Sequence, residues 1–393
     1  MGEGELLLAT SEFPPFEAGR GGGVGTWMEA VARGLAQAEV PTHVLAVGPS
    51  RPTTDTLLPY RVSRIPDAFH RRARSLCWRW ALGKAARRRG QPRALLVATR
   101  QIARTPIAWA RRRGIPSLLF CHGQEWLPRE QASHEARTRR LIERTPPDLY
   151  IANSVFTQSL LMDRGVAPTS IVRVRPVSDL APFSTASGAG LRERLGLRDA
   201  LVVLGVGRFV ERKGHEILVE VVARLLPTFP RLHLVLAGDG PCRGSIEAAV
   251  KRLGVEKHVH LLGQISREEM PAVCAAADVF VMATRDMSGQ GSVEGYGIVY
   301  VEAGAAGVPV VATAVGGVVD VVRHEENGVL VASPAVEDVA AGVAELLADP
   351  VRRRRLGQRG RELALGPYGL EAQTEVLLAA IAQAEGVAAR SSS

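Results

Sequence analysis

Short apolar runs alternate with stretches of helical periodicity along the whole chain. The buried strands that this pattern predicts in the first half are 5–9, 43–47, 94–98, 117–121, 149–152 and 171–174. Those predicted in the second half are 201–206, 232–237, 259–262, 279–282, 308–312 and 328–331. Strands and helices that alternate at this spacing are typical of doubly wound parallel sheets. We therefore expect an α/β protein with two Rossmann-like domains.

The length of the chain and a change in composition place the boundary between these domains. A chain of 393 residues exceeds the roughly 250 to 300 residues at which single hydrophobic cores stop growing. Ser and Gly residues between 184 and 190 thin out the apolar pattern, which favours a linker there. We expect a first domain over 1–182 and a second over 183–367. A final helix at about 368–386 is expected to pack back on the first domain.

The composition is that of a globular protein, and the sequence shows no recognisable targeting segment. With 46% hydrophobic and 23% charged residues, the disordered and fibrous classes are excluded. The four cysteines are far apart, which argues against a disulfide framework and a zinc site. The first ten residues lack the basic start of a signal peptide, and no apolar run approaches the roughly 18 residues of a membrane span. We expect a reduced, cytoplasmic protein, with any membrane contact peripheral and at the inner face.

The positive charge is concentrated in the first half of the chain. Lys and Arg number 49 against 40 Asp and Glu, a formal charge of +9. The basic segment, 71–113, begins with Arg71, ends with Arg113 and holds 14 cations and no acidic residue. Such a segment favours an anionic lipid surface, a nucleic acid or an acidic substrate.

Two interpretations of the basic segment remain open. A helical wheel of its first part gives an apolar face of Ala73, Leu76, Cys77 and Trp80 surrounded by cations, which suits a helix lying on anionic lipid. A solvated surface with a partly buried Trp explains the composition equally well. Nucleic-acid binding is disfavoured, because the chain has no RNP, helix-turn-helix or zinc-finger pattern.

A pair of cations opens the second domain. Arg208 follows a predicted strand, and Lys213 precedes Gly214 at the start of a helix pattern. Because ligands bind at the carboxyl ends of parallel strands, these side chains are placed to hold a diphosphate. Two solvated loop cations are the alternative interpretation.

A second motif runs from Glu294 to Glu302 and reads EGYGIVYVE. A helix is expected to begin near Gly297, so that the amides of Gly297, Ile298 and Val299 can donate to phosphate or sugar oxygens. The two carboxylates can accept hydrogen bonds from polyol hydroxyls. The alternatives are an N-terminal cap for Glu294 and an exposed helix position for Glu302.

Together these motifs resemble the retaining, GT-B-fold enzymes of glycosyltransferase family 4. Glu294 and Glu302 match the family's E-x7-E signature. The matching runs are FPPFEAGRGGGVGTWMEAVARGLA at 13–36, HGQE at 122–125, IANSVFT at 151–157, GRFVERKG at 207–214, LAGDGP at 236–241, ADVFVMAT at 277–284 and EAGAAGVPVVATAVGG at 302–317. The wording is most similar to bacterial phosphatidylinositol mannoside mannosyltransferases. One departure is RPVSDL at 175–180, which keeps only Asp179 of the family's Asn-Gly-Val-Asp linker.

The resemblance implies two domains that face a central cleft and a role for each motif. It implies that Arg208 and Lys213 bind the donor diphosphate, Glu294 the sugar hydroxyls and Glu302 the ribose. Gly240 and Gln264 would lie near the base pocket.

In the first domain, the resemblance implies that Gly22 and Gly23 present amides to the donor phosphate. His122 would contact the transferred sugar, although a satisfied strand-end histidine remains plausible. Because these residues and the donor cations lie on different domains, we expect the domains to close on donor binding.

The expected reaction is transfer of a hexose, with mannose suggested by the resemblance, from a GDP- or UDP-linked donor to a hydroxyl of a lipid-linked, glycan or small-molecule acceptor. The resemblance implies retention of configuration. The sequence has no Asp-x-Asp motif, so Arg208, Lys213 and the helix amides are expected to stabilise the leaving diphosphate without a metal or other cofactor. A nucleotide-sugar epimerase of the same architecture and a basic nucleic-acid or membrane-surface binding protein are the rival classes.

Overall fold

The computed structural model of the protein describes residues 4–14, 22–49, 55–129 and 131–391. The chain forms two compact units, Met1–Ser178 together with Leu370–Ser393, and Asp179–Gly369. The division therefore falls after Ser178, four residues before the boundary expected from composition.

A sheet of parallel strands forms the first unit, in the spatial order β3-β2-β1-β4-β5-β6-β7. Its strands are β1 (Leu6–Thr10), β2 (Thr42–Val47), β3 (Arg61–Ile65), β4 (Ala94–Val97), β5 (Ser117–Cys121), β6 (Leu149–Ala152) and β7 (Ile171–Arg173). Its helices in the first half of the chain are α1 (Gly23–Gln37), α2 (Asp67–Arg89), α3 (Arg100–Arg111), α4 (Ala132–Arg144) and α5 (Val155–Asp163). Every residue of β1 is buried, as expected for a central strand of a parallel sheet covered on both faces. Strand β3 was not predicted.

Helix α2 divides the apolar residues of the helical wheel between the solvent and the core. Leu76 is 62% and Trp80 51% exposed, as a face that lies on lipid requires. Cys77 is buried in the core of the first unit together with Trp78 and Leu82, so its place on that face was wrong. Ala73 packs partly against the same core and has non-helical φ and ψ of −142° and 49°, which mark a kink in the helix.

The second unit contains a parallel sheet in the order β10-β9-β8-β11-β12-β13. Its strands are β8 (Leu201–Val206), β9 (Leu232–Ala237), β10 (Val259–Gly263), β11 (Val279–Met282), β12 (Val310–Thr313) and β13 (Gly328–Val331). Its helices are α6 (Ala181–Thr185), α7 (Ala189–Arg194), α8 (His215–Leu225), α9 (Arg243–Leu253), α10 (Met270–Ala275), α11 (Ile298–Ala305), α12 (Val336–Ala348) and α13 (Pro350–Leu365). Two Rossmann-like parallel-sheet units therefore form the chain, which confirms the predicted fold class.

The final helix, α14 (Leu370–Ser391), belongs to the first unit. It packs so closely on α1 that a Cβ on Gly34 would lie 2.1 Å from Thr374 Oγ1. Gln373 Oε1 accepts a hydrogen bond of 2.7 Å from the Arg175 amide, and Arg93 pairs with Glu385. Contacts along its length thus fix α14 to the first unit. None of the described helices combines the length and apolarity needed to cross a lipid bilayer.

Candidate functional site

The predicted ligand-binding residues of the second unit lie at the carboxyl edge of its sheet, where the parallel strands end. Arg208 follows β8, Gly240 follows β9 and Gln264 follows β10, while Glu294 and Glu302 lie between β11 and β12. Because β8 neighbours both β9 and β11, the strand order reverses at β8. Ligands of doubly wound sheets bind at the carboxyl ends of the strands beside such a reversal.

Glu294 lies at the centre of this edge, buried between two cations. Arg212 Nη1 donates to Glu294 Oε2 at 2.6 Å, and Lys213 Nζ lies 2.6 Å from the same oxygen. Burial raises the pKa of Glu294, but Lys213 and Arg212 together outweigh it and hold the pKa at about 2. We call these three residues the Glu294 cluster. It is an ionised carboxylate with two charge-assisted partners, one of which, Arg212, was not predicted.

The backbone around Glu294 places the amino end of α11 beside this cluster. Gly297 caps α11 with a φ of 94°, a left-handed conformation that favours glycine. The first bond of the helix runs from the Tyr300 amide to Gly297 O at 3.1 Å, so the amides of Ile298 and Val299 lie ahead of it. The helix start was thus predicted correctly, and the interpretation of Glu294 as its cap was wrong, because Gly297 holds that position without a side-chain cap.

Glu302 is buried inside α11, with its side chain only 2% exposed. Arg267 Nη1 donates to Glu302 Oε1 at 2.6 Å. The guanidinium carbon of Arg267 lies 5.4 Å from the centre of the Phe183 ring, within the range of a cation–π contact. The alternative of an exposed helix position for Glu302 was therefore wrong.

The loops after β8 and β9 are fitted closely together. A Cβ on Gly240 would lie 2.5 Å from Phe209 O, and the Phe209 amide donates to Asp239 O at 2.9 Å. Arg208 and Gln264 are exposed at the same edge. Among the described residues, no ion pair involves Arg208, and its contact with a diphosphate stays a prediction.

His215 is the first residue of α8, two residues after Lys213. It is buried, its ring centre is 4.8 Å from that of Phe209, and neither ring nitrogen has a partner among the described residues. Burial lowers its pKa, Lys213 lowers it further, and the result is about 3. His215 is therefore neutral.

In the first unit, His122 follows β5 and is held in place by backbone contacts. Its Nε2 donates to Ala98 O at 2.7 Å, and its ring meets the Trp27 ring edge to face with centres 5.4 Å apart. Glu125 Oε1 accepts from the His122 amide at 2.7 Å, and Asn153 Nδ2 donates to His122 O at 3.2 Å. Both predicted motifs, HGQE and the Asn-Ser strand end, thus fix this histidine at the carboxyl edge of the sheet, and its contact with a sugar stays a prediction.

Gly22 and Gly23 form the amino end of α1, with Gly22 as its cap and extended φ and ψ of −134° and 168°. Residues 15–21 of the preceding Gly-rich loop lie outside the described residues. Glu12 Oε2 is 3.2 Å from the place where a Gly22 Cβ would lie. Burial raises the pKa of Glu12, and His122 opposes this effect. A carboxylate that the sequence did not point to therefore lies beside both predicted features.

Sequence reasoning missed Arg212, Arg267 and Glu12. Arg212 precedes Lys213 within the quoted run GRFVERKG, and Glu12 lies two residues after the end of the first strand. Those positions were the available signals. Arg267 had a weaker signal, its place three residues after Gln264.

Two family models match the chain, one on each unit. The model described as Glycosyltransferase Family 4 matches residues 21–181. The model described as Glycosyl transferases group 1 matches residues 191–363.

Curated relatives match across about half of the chain. A GDP-mannose-dependent alpha-(1-6)-phosphatidylinositol monomannoside mannosyltransferase of Mycolicibacterium smegmatis is 41% identical over 177 residues, 45% of this chain and 46% of the relative. The protein of that name from Mycobacterium tuberculosis is 36% identical over 211 residues, 53% of this chain and 55% of the relative. The lipopolysaccharide core biosynthesis glycosyltransferase LpsE of Rhizobium meliloti is 38% identical over 184 residues, 47% of this chain and 50% of the relative. The chain spans about half the length of the curated relatives it matches.

Solved structures match over nearly the whole chain. Anabaena HepE in complex with UDP and glucose has a TM-score of 0.79 at 19% identity and covers 97% of this chain and 100% of its own. Sucrose-phosphate synthase from Thermosynechococcus elongatus has a TM-score of 0.77 at 24% identity and covers 97% and 99%. These likenesses show the GT-B fold.

Proposed function

The chain belongs to the glycosyltransferases, with the family 4 model on its first unit and the group 1 model on its second, and from this premise we propose that it transfers a hexose from a nucleotide-diphosphate donor to an acceptor hydroxyl. The Glu294 cluster carries this proposal. In this cluster a buried carboxylate is held by two cations beside the amino end of a helix. The carboxylate can accept hydrogen bonds from a polyol, and the cations and helix amides can bind a polyanion.

The reaction breaks the bond between the anomeric carbon and a diphosphate oxygen, so negative charge grows on the leaving group. Arg208, Lys213 and the amides of Gly297, Ile298 and Val299 stabilise that charge as preorganised donors. Glu294 accepts hydrogen bonds from the sugar hydroxyls, and its pKa of about 2 keeps it an acceptor at neutral pH. Retention of configuration and independence of metal ions are parts of the proposal.

GDP-mannose is the donor that we propose first. The mycobacterial relatives are GDP-mannose-dependent by name, and their identity to this chain is 41% and 36%. UDP sugars are the second choice, because a diphosphate and a ribose make the same contacts in either donor. The acceptor that we propose is lipid-linked or a glycan, in keeping with relatives named for phosphatidylinositol mannoside and lipopolysaccharide synthesis.

The test is a thermal-shift panel of GDP-mannose, UDP-glucose, UDP-N-acetylglucosamine, GDP and UDP. We expect one donor and its nucleoside diphosphate to stabilise the wild-type protein, and Glu294→Ala to lose the extra stabilisation by the sugar. Glu337→Ala is the matched control, since Glu337 also pairs with an arginine but on the exposed surface of α12. Undiminished donor stabilisation in Glu294→Ala would contradict the assignment of the site.

Activity assays separate the remaining parts of the proposal. An α-linked product from an α-linked donor, read from the anomeric coupling by NMR, is expected for retention. Transfer that continues in excess EDTA is expected for metal independence. Donor epimerisation without any acceptor would favour the rival epimerase.

We further propose that the exposed side of α2 docks the protein on the inner face of an anionic membrane. Leu76 and Trp80 are half-exposed or more, and Lys84 Nζ lies 4.7 Å from the centre of the Trp80 ring. The cations exposed around them on α2 are Arg74, Arg79, Lys84, Arg87 and Arg88. The side chains of Arg71, Arg72 and Arg89 lie outside the described residues. Apolar side chains ringed by cations suit an anionic bilayer surface.

Cosedimentation with phosphatidylglycerol vesicles tests this docking. We expect salt-sensitive binding that Leu76→Ser with Trp80→Ser removes. Leu57→Ser is the matched control, because Leu57 is a highly exposed leucine of the same unit outside the basic segment. Equal binding by the double variant and the wild type would refute the surface.

A further inference from the structure

Arg285 joins the two loops that meet at the Glu294 cluster. It is the third residue after β11 and begins the connection that leads to α11. Its amide donates to Arg212 O at 2.8 Å, and its Nη1 donates to Glu211 O at 2.8 Å. Both acceptors belong to the short 3-10 turn Glu211–Lys213, which follows β8 and carries the two cations of the cluster. The backbone and the side chain of Arg285 therefore both bind this turn.

The same guanidinium is also held by a carboxylate of α8. Arg285 Nη1 pairs with Oε1 of Glu216, which lies in the first turn of that helix. The two side chains are only 29% and 24% exposed, so solvent screens this pair less than a pair on the surface. Glu216 comes three residues after Lys213, where the 3-10 turn leads into the helix. The pair therefore fixes the turn at the end that carries Lys213.

The residues before Arg285 hold the same two loops together. A Cβ on Gly214 would lie 2.2 Å from Ala283 O, so the turn and the connection after β11 are in close contact. Thr284 Oγ1 lies 3.3 Å from the hydroxyl oxygen of Tyr300, which belongs to α11. This short segment therefore links the 3-10 turn with the helix whose amino end is proposed to meet the donor.

From these contacts we propose that Arg285 is a positioning residue for the donor diphosphate and acts through Lys213. The inference deepens the proposed function and rests on it, since it concerns the diphosphate of the same donor. Lys213 Nζ lies 2.6 Å from Glu294 Oε2, and Glu294 is assigned to the sugar, so the phosphate that Lys213 meets is the one joined to the sugar. Arg285 keeps the turn in register with this phosphate, and displacement of the turn weakens the contact.

A rival role for Arg285 is to stabilise the second unit without any effect on the ligand. Nucleotides with one and with two phosphates separate the two roles, because GMP and UMP keep the base and ribose of GDP and UDP but lack the second phosphate. Loss of positioning weakens the binding of the diphosphates alone. A defect of the fold lowers the stability of the unliganded protein and weakens the binding of both kinds of nucleotide.

The experiment measures the affinity of wild-type protein and Arg285→Met for GDP, UDP, GMP and UMP by calorimetry, and the stability of both unliganded proteins in urea. Methionine keeps an unbranched stem and removes the charge and the donors. We expect Arg285→Met to bind the better diphosphate about tenfold more weakly, at the lower limit for a whole charge-assisted contact, because Lys213 is displaced and not removed. The affinity for the corresponding monophosphate is expected to change less than about twofold.

Two more variants examine the same contacts. Arg285→Lys keeps a positive charge and donors for Glu211 O and Glu216, so it should restore most of the affinity for the diphosphate. Glu216→Gln weakens the pair from its other side and should lower diphosphate affinity in the same selective way. Combining Glu216→Gln with Arg285→Met should cost no more than Arg285→Met alone, because the two side chains act as a pair.

Arg252→Met is the matched control, since Arg252 of α9 also pairs with a glutamate of α8, Glu220, at 3.0 Å, but one turn further along that helix and on the exposed surface. It should bind all four nucleotides as the wild type does. Unchanged diphosphate affinity in Arg285→Met overturns the inference, and so does an equal loss for the diphosphate and the monophosphate. If Arg285→Met does not fold, Glu216→Gln decides by the same comparison. If the wild-type protein binds neither GDP nor UDP, the proposed function fails first, so the two failures are distinguishable.

Discussion

Arg212 and Lys213 share one carboxylate oxygen of Glu294, which makes the two cations comparable in importance. Each lies 2.6 Å from Glu294 Oε2. We expect Arg212→Ala to weaken binding of the preferred nucleoside diphosphate by about ten- to a hundredfold, because one charge-assisted hydrogen bond is worth about 1.5 to 3 kcal/mol. Lys213→Ala should cost a similar factor.

Calorimetric titration of both variants checks this expectation, with Arg224→Ala as a control arginine on the exposed surface of α8. If nucleotide affinity falls in Lys213→Ala but not in Arg212→Ala, the comparable importance inferred here for Arg212 is wrong.

His215 provides a prediction about pH. Its pKa in the folded protein is about 3, whereas an unfolded histidine titrates near about 6.5. Between these values the unfolded state binds the extra proton, so stability is complete above about pH 6.5 and falls as the pH is lowered toward 3. At pH 5 the cost is about 2 kcal/mol.

His215→Leu should remove that part of the pH dependence, as seen by urea unfolding at pH 7.5 and pH 5. The exposed His324 offers the comparison His324→Gln. A His215→Leu protein that loses as much stability at pH 5 as the wild type would refute the argument.

At this scale the sequence indicated single residues but not their partners. Lys213 follows β8, and Glu294 and Glu302 lie between β11 and β12, while their contacts with a ligand stay predictions. The members of each pair lie far apart along the chain. Arg212 and Glu294 are separated by 82 residues, and Arg267 and Glu302 by 35. Only the folded sheet brings such residues together, so no local spacing could have indicated the pairs.

At the scale of the element, the packing of α14 on α1 gives a test by double substitution. A Cβ on Gly34 would lie 2.1 Å from Thr374 Oγ1, which itself donates to Leu370 O at 2.7 Å. Gly34→Ala should destabilise the first unit by about 1 to 3 kcal/mol through overpacking. Thr374→Ala should cost about 0.5 to 1.5 kcal/mol for its lost hydrogen bond.

The double variant Gly34→Ala with Thr374→Ala should lose less stability than the sum, because removing Oγ1 relieves the clash. The free energies of unfolding of the four proteins measure this coupling. Gly83→Ala is the control, since a Cβ there meets only the far end of Arg87 at 3.9 Å and alanine favours the helix. Strictly additive losses would mean that α1 and α14 do not meet as described.

Strands were easier to predict than the surface elements. Central strands such as β1 are apolar except at their last residue and were found within one residue. Strand β3 was missed because it is the edge of the sheet and its sequence RVSRI is only partly buried. Its Arg64 is held by Asp55, a contact that its own sequence does not reveal. On α2 the wheel grouped Cys77 with Leu76 and Trp80, although Cys77 packs in the core of the first unit.

At the scale of the whole molecule, charge divides by unit. The basic segment forms α2 and α3 of the first unit. In the second unit, Arg212, Lys213 and Arg267 are each paired with a buried glutamate. The sequence indicated this asymmetry, and the structure adds that Arg212, Lys213 and Arg267 are balanced by glutamates of the same unit, whereas Arg208 has no ion pair among the described residues.

Two units with separate cores should unfold in two calorimetric transitions. Each unit has its own parallel sheet and about 200 residues, enough for an independent core. The transition that Gly34→Ala lowers identifies the first unit. The other transition belongs to Asp179–Gly369, which holds the proposed contacts to the diphosphate and ribose.

GDP or UDP at a hundred times its dissociation constant should stabilise that second transition by about 2.7 kcal/mol. The transition of the first unit should move much less, because Arg208, Lys213 and Glu302, to which the diphosphate and ribose contacts are assigned, all lie in the second unit. Glu294→Gln should keep most of the shift for the nucleoside diphosphate and lose the additional shift given by the nucleotide sugar, since Glu294 is assigned to the sugar hydroxyls. If a nucleotide raised the unfolding temperature of the first unit alone, the donor would bind to that unit. The assignment of Arg208, Lys213 and Glu302 to donor binding would then be wrong.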